Sequence, residues 1–321
     1  MARADLLIKL IEAGKTGDRE LFKKVTESLI AEERSKQHNV LADQLDFIIK
    51  NYKANDKING FPNEKISSFL YHIYPKTTMD DLVFSKEILD EIHEFIQEHY
   101  RIDLLRTYNL SPRNRVLLIG EPGTGKTSLT EALASSLSLP LYSIRYDGII
   151  GSYLGETATR LRQTFDYIKT QNCILFLDEF DSIGKERGDI HETGEIKRVV
   201  SSLLLQIDEL PEHVIIVAAT NHPELLDKAV WRRFQVRLEL AKPDVAEIAK
   251  WISIFESKTE LKFDIDAKLI TSRLLGLSFS EIEELFLNIR RKYILDQPNA
   301  NLKNILSNVL KKKSFKYPLI F

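Results

Sequence analysis

Several things are scarce in this sequence. Cysteine occurs once, at Cys173, so no internal disulfide can form. Cys173 lies in the apolar run "CILFLD" and reads as a small core residue, and a reducing compartment is its natural setting. No apolar run approaches the ~18 residues that a membrane-crossing helix needs. The opening stretch "MARADLLIKLIEAGKTG" carries acidic residues and helical periodicity and lacks a small-residue cleavage site. A cytoplasmic protein without a secretion signal is the expectation. An excess of one charge is also missing: 45 basic residues against 47 acidic leave a net charge of −2. No global field therefore draws the chain onto nucleic acid or an anionic membrane. Internal repeats and low-complexity tracts are absent too. What is present is 321 residues, 43% of them hydrophobic, enough for two or three domains with substantial cores.

The pattern changes three times along the chain. In residues 1–53, "ADLLIKLIEA", "RELFKKVTESLIAEERSK" and "HNVLADQLDFIIKNY" repeat apolar positions three and four apart, which predicts a small helical bundle for recognition rather than chemistry. The polar stretch "KANDKINGFPNEK" opens a linker expected over 54–79. In residues 80–243 short apolar runs alternate with helical segments: "RVLLIG", "PLYSIRY", "CILFLDE", "HVIIVAATN" and "QVRLEL". Continuous apolar runs of this kind are buried parallel strands, so an α/β sheet covered by helices on both faces is expected. Residues 244–321 return to amphipathic helices and predict a small C-terminal domain.

The chemistry concentrates where the first strand meets a helix, in "LLIGEPGTGKTSLTEALA". Gly120, four residues, then Gly125-Lys126-Thr127 fit the phosphate-loop spacing G-x-x-x-x-G-K-[ST]. Glycines let the backbone of Gly120, Glu121, Pro122, Gly123, Thr124 and Gly125 curl until its N–H groups face phosphate oxygens, and the helix running through Ser128 adds its positive dipole end. Lys126 would reach the β- and γ-phosphates of ATP, and Thr127 would hold Mg²⁺. In "CILFLDEFDSIG" a strand delivers Asp178 and Glu179 to its C-terminal end, where α/β sheets bind ligands. Asp178 suits Mg²⁺ through its water shell, and Glu179 suits orienting or deprotonating a water that attacks the γ-phosphate. "HVIIVAATN" ends in Asn221, a polar group able to hold that same water.

In this order the motifs resemble an AAA ATPase of the substrate-remodelling kind, akin to the katanin, spastin and proteasomal-ATPase branch, over roughly residues 80–295. "GEPGTGKT" is similar to the family's Walker A, with Glu121 where proline is usual; "ILFLDEFD" resembles Walker B, and "VAATN" sensor 1. The resemblance implies an AAA+ P-loop sheet with a helical lid, and ATP hydrolysis to ADP and phosphate. "LLGLSFSEIEEL" resembles the lid segment near the adenine and implies nucleotide contacts at Gly276 and Ser280, although Phe279 and Ser280 replace smaller residues. "LLDKAVWRRFQVRLEL" resembles the arginine-finger segment, which implies that Arg232 and Arg233 enter a neighbouring subunit's ATP and that activity needs a ring, a hexamer in this family. Asp208 falls where the family keeps an acidic residue near the subunit interface.

"GSYLGETATRLRQTF" resembles the first pore loop, so Tyr153 and Leu154 would grip an extended polypeptide substrate; packing beneath a neighbouring helix is the alternative. His191, after Walker B, would sit in a second pore loop. The helical opening and the "WRRF" form of the finger resemble small bacterial AAA ATPases encoded beside a subtilisin-like serine protease, some of which defend against phage. Proteolysis would then belong to the partner. Two further functions compete: a nucleotide-controlled switch that holds an effector without threading, and a nucleic-acid-acting AAA+ protein, which would want a basic face that this near-neutral chain lacks. The apolar terminus Pro318 to Phe321 is either folded onto the C-terminal domain or a docking tail.

Overall fold

The computed structural model describes residues 2–16, 19–52, 70–144, 154–181, 202–263, 267–298 and 300–312. Tyr153, His191 and the tail Pro318 to Phe321 lie outside these residues, and so do the glycines flanking the expected pore loop at Gly148 and Gly151.

Three helices open the chain: α1 (Ala2–Thr16), α2 (Arg19–Ser35) and α3 (Asn39–Tyr52). The turn between α2 and α3 places Gln37 in the left-handed region at φ 62°, and His38 bonds the buried Glu33 carboxylate at 2.8 Å. Ile30, Ala42 and Ile49 form the small core of this bundle. The outer side of α3 meets the next domain, where Phe47 stacks edge-on against Tyr100 at 5.3 Å.

The central domain is a six-stranded sheet: β1 (Leu70–Ile73), β2 (Arg115–Ile119), β3 (Leu141–Ile144), β4 (Cys173–Leu177), β5 (Val214–Thr220) and β6 (Val236–Glu239). Their order is β1-β3-β4-β5-β2-β6, and only the edge pair β1 with β3 is antiparallel. All five strands expected from the sequence are β2 to β6. Between and around them lie α4 (Lys86–Tyr100), α5 (Ile102–Thr107), α6 (Lys126–Leu137), α7 (Leu154–Ile168), the helical residues 202–208 (α8) and α9 (Lys228–Trp231).

Alternation along each strand explains why both faces need helices. Leu117, Leu175, Leu177 and Ile216 point to one face, where they join Leu161 and Phe165 of α7 and Ile207 of α8. Val116, Leu118, Ile174, Phe176 and Val217 point to the other, packed on Phe95 of α4 and Leu129 and Leu133 of α6. With both sides buried, β5 is apolar up to its last residue, Thr220, and all seven of its residues are buried. Parallel register brings the C-terminal ends of β2, β4 and β5 to one edge: Ile119 pairs with Thr220, and Leu177 with Ala218. The chemistry sits on that edge.

A second, smaller core closes the chain, built by α10 (Val245–Thr259), α11 (Ala267–Leu274), α12 (Phe279–Leu295) and α13 (Leu302–Lys312). Phe286 is its centre, ringed by Trp251, Phe255 and Phe263 at 5.0 to 5.5 Å. Capping boxes start two of the helices: Asp244 with Glu247 for α10, and Ser278 with Glu281 for α12.

Strand β1 falls inside the stretch 54–79 expected to be a linker. Leu70 is fully buried in the sheet core, and residues 70–73 pair one for one with β3. Leu70→Ala should therefore cost about 2–5 kcal/mol in urea unfolding, the range for a buried leucine. A loss under about 1 kcal/mol would mean that β1 is a tether and not part of the sheet.

Candidate nucleotide site

The loop from Gly120 to Gly125 leaves β2 and turns into α6, whose N-cap Gly125 has φ 100°. Two of its glycines are required by close approach. A Cβ at Gly120 would collide with the carbonyl oxygen of Leu240, and one at Gly123 with the hydroxyls of Ser278 and Ser280. Gly123 also has φ 80°, which a side chain rarely adopts. Buried Thr124 closes the loop on itself, its hydroxyl donating to the carbonyl of Glu121 at 2.9 Å. The result is a backbone cradle at a helix N-terminus, seated closely against Leu240, Ser278 and Ser280.

Lys126 lies at the bottom. Its Nζ donates to the carbonyls of Gly120 at 2.6 Å and Glu121 at 2.9 Å, and to Asn221 Oδ1 at 2.6 Å. Burial pushes the ammonium below its ordinary pKa, while the charges of Asp178 and Asp181 pull it back up. Three elements meet at this one group: β2 through Gly120, β5 through Asn221, and α6 through Lys126 itself. The end of β4 completes the set. Asp178 Oδ1 accepts from the N–H of Glu179 at 2.9 Å, and Glu179 is exposed at φ 46°. A left-handed glutamate costs on the order of 1–3 kcal/mol and persists only where its neighbours over-determine it. Here the next residue does so, since Phe180 N–H donates to the carbonyl of Ala219 at 2.8 Å and carries the β4–β5 ladder past the strand end.

A cavity of about 370 Å³ opens beside the loop. Gly123 to Ser128 form its phosphate end, Leu82, Val83 and Phe84 one wall, and Trp251, Ile254, Phe255 and Phe279 of the C-terminal helices the other. That lining is a polar cradle continuous with an aromatic and aliphatic slot, which fits a nucleotide's phosphates and base. Ser280 belongs to the lining and its N–H donates to the carbonyl of Gly123 at 3.2 Å, so the C-terminal domain touches the cradle directly. Gly276 does not line the cavity; at φ 88° it makes the turn between α11 and α12.

Comparison with known proteins bears on the family. Residues 116–242 match the model of the family described as "ATPase family associated with various cellular activities (AAA)". An uncharacterized AAA family ATPase of Sinorhizobium fredii is 35% identical over 305 residues, covering 92% of this chain and 91% of that protein. The chain belongs to the AAA family of ATPases. It hydrolyses ATP to ADP and phosphate. The ATP-dependent zinc metalloprotease FtsH 3 of Sphaerobacter thermophilus is 35% identical over 217 residues, 65% of this chain and 44% of that protein. A putative 26S proteasome regulatory subunit homolog of Methanothermobacter thermautotrophicus is 34% identical over 206 residues, 62% of this chain and 55% of that protein. The chain thus spans about half the length of these two relatives.

Other expected site residues of this AAA ATPase fall apart from the cradle. Arg233 donates through Nε to both oxygens of Asp208, at 3.0 and 2.9 Å, and Asp208 also pairs with Arg115 at 3.3 Å. Arg232 is exposed and makes no ion pair among the described residues. The expected finger pair is therefore divided: one arginine is tied to its own chain and the other points outward. Gln235 accepts from the N–H groups of Asn114 and Arg115 at 3.0 and 3.2 Å and so fastens this segment to the start of β2. Leu154 begins α7. Sequence reasoning passed over Asp181, which is buried at the end of β4 and bonded to Thr220 and Asn221. The acidic residue three beyond Asp178 in "DEFD" was the available sign. No helix among the described residues is long and apolar enough to cross a membrane.

Two expected outcomes follow from the contacts between the C-terminal helices and the cradle. Gly123→Ala should weaken ATP binding at least tenfold by isothermal titration, because its Cβ would sit on Ser278 and Ser280. Gly276→Ala has a similar φ but nothing within 4 Å, so it should cost stability and leave ATP affinity within about threefold. The second outcome concerns Asp81. Lys258 of α10 bonds it at 2.6 Å, and that bond, aided by the N–H of Thr78, lowers its carboxyl from 3.8 to about 2. A depressed carboxylate pKa stabilises the fold above its unfolded value, and the contribution is lost as pH falls through the folded value. Lys258→Met should therefore lower the melting temperature at neutral pH, by a degree or two since exposed pairs contribute ~0.2–1 kcal/mol. That gap should close as pH falls from 3.8 towards 2.

Proposed function

We propose that this ATPase works as a ring, a hexamer, that grips a polypeptide and remodels or unfolds it using ATP. The observation that carries its ATP-using part is the convergence of Lys126, Asn221, Asp178 and Glu179 beside a nucleotide-sized cavity, and the polypeptide substrate is supported by relatives named for proteolysis. Lys126 and the loop N–H groups hold the phosphates. The Thr127 hydroxyl and Asp178 carboxylate hold Mg²⁺, which neutralises phosphate charge when bound. Glu179 accepts the proton of the attacking water, and Asn221 orients that water.

Arg232 is the finger that reaches a neighbouring subunit's ATP, supported by its exposure and lack of an internal partner among the described residues. Arg233, held by Asp208, sets the turn from which Arg232 projects. Tyr153 and Leu154 are the residues that grip the polypeptide in this reading. Two relatives are, by name, an ATP-dependent metalloprotease and a proteasome regulatory subunit homolog, which favours threading into a proteolytic partner. We read that partner as a subtilisin-like serine protease, in bacterial defence.

A mixing experiment tests the shared site. Lys126→Ala should abolish nucleotide binding, and Arg232→Ala should retain it while losing about a hundredfold in turnover, the worth of an arginine finger. Together the two inactive proteins should regain activity, because each subunit supplies what the other lacks. Persistent inactivity of the mixture under assembling conditions would remove the trans-acting arginine. Tyr153→Ala should abolish unfolding of a tagged substrate with ATP turnover retained; unfolding at the wild-type rate would leave a switch rather than a threading motor.

A further inference from the structure

We infer that Asp181 is a positioning residue for ATP hydrolysis: it locks the end of β5 so that Asn221 meets Lys126. Asp181 is 5% exposed and makes no ion pair among the described residues. A buried carboxylate is costly unless hydrogen bonds replace its water, so the bonds it makes indicate its purpose. Both go to β5 and the residue after it: Oδ1 accepts from the Thr220 hydroxyl at 2.8 Å and from the Asn221 N–H at 3.3 Å. The Thr220 hydroxyl, with its proton committed to Asp181, accepts in turn from the N–H of His222 at 3.0 Å. One carboxylate thereby sets the backbone of three successive residues, and the middle one presents its side-chain oxygen to Lys126 Nζ at 2.6 Å.

The arrangement is indirect by construction. Acceptors already surround Lys126 Nζ, and Asp181 is not among them. Its charge is felt at Lys126, but its hydrogen bonds act one residue removed, through Asn221. The bond from Phe180 N–H to the carbonyl of Ala219 keeps the two strand ends in step, between Glu179 and Asp181 on one side and Asn221 on the other. Displacing Asn221 by about an ångström would leave phosphate binding to the loop intact and misplace the water-side groups, a loss that falls on turnover.

This inference rests on the role proposed for Asn221, and a double-mutant cycle separates the two. ATP turnover and KM are measured for Asp181→Ala, Asn221→Ala and the double variant, with Thr220→Val and Asp181→Asn as near-isosteric checks and melting temperatures recorded for each. Asp181→Ala should lower kcat at least tenfold and change KM less than threefold. In the Asn221→Ala background the same substitution should cost less than twofold more, because the group through which it acts is gone. Thr220→Val should lose several-fold in kcat, and Asp181→Asn, which keeps an acceptor oxygen, should recover at least a third of the wild-type value. If Asn221→Ala turns over at the wild-type rate, the role of Asn221 itself fails. If Asn221→Ala is slow but the two losses multiply, only the positioning role of Asp181 is overturned. Should Asp181→Ala not fold, Thr220→Val decides by the same cycle, and wild-type kcat there overturns the inference.

Discussion

One ammonium group holds the working edge of this protein together. Lys126 Nζ makes three hydrogen bonds, to Gly120, Glu121 and Asn221, on a loop and a strand end separated by about a hundred residues of chain. Burying that charge lowers its pKa, so the bonds offset a real desolvation cost. Each remaining feature of the site either delivers an acceptor to this group or keeps a neighbour at the right distance from it. The all-buried strands supply rigidity, the glycines supply the approach, and the continued β4–β5 ladder supplies alignment. Shifting β5 by one residue would turn Asn221 to the opposite face of the sheet and remove the acceptor.

Among the described residues, the C-terminal helices reach this edge through Ser278, Ser280 and Lys258. Ser280 N–H meets the Gly123 carbonyl, and Lys258 meets Asp81 on the segment that leads into the sheet. Between them lies the aromatic slot of Trp251, Phe255 and Phe279. A base in that slot would touch both domains at once, so occupancy and the relative placement of the domains are linked.

Much of this architecture is written locally. Strands β2 to β6 are legible because burial on both faces forces continuous apolar runs, and the phosphate loop because its glycine spacing has few other physical uses. Strand β1 is not legible: "LYHI" is four residues long, half exposed and bordered by polar stretches, and only its pairing with β3 makes it a strand. Asp181 escapes notice because its partners lie about forty residues away on β5. The different surroundings of Arg232 and Arg233 depend on Asp208 at the end of α8, a contact that joins residues 25 apart. Ser278 is an intermediate case. Its spacing from Glu281 fits a capping box, yet its contact with Gly123 emerges only when the two domains are side by side.

Strand β1 also has a mechanical meaning. It runs antiparallel to β3, and β3 leads at Ile144 towards the segment that contains Tyr153. A pull on the chain ahead of Leu70, directed along β1, would load the whole four-residue ladder at once in shear. The same pull directed sideways would peel the bonds one after another at far lower force. A pull carried along β1 is therefore transmitted or released according to its direction, and when transmitted it arrives at β3 before any other strand of the sheet.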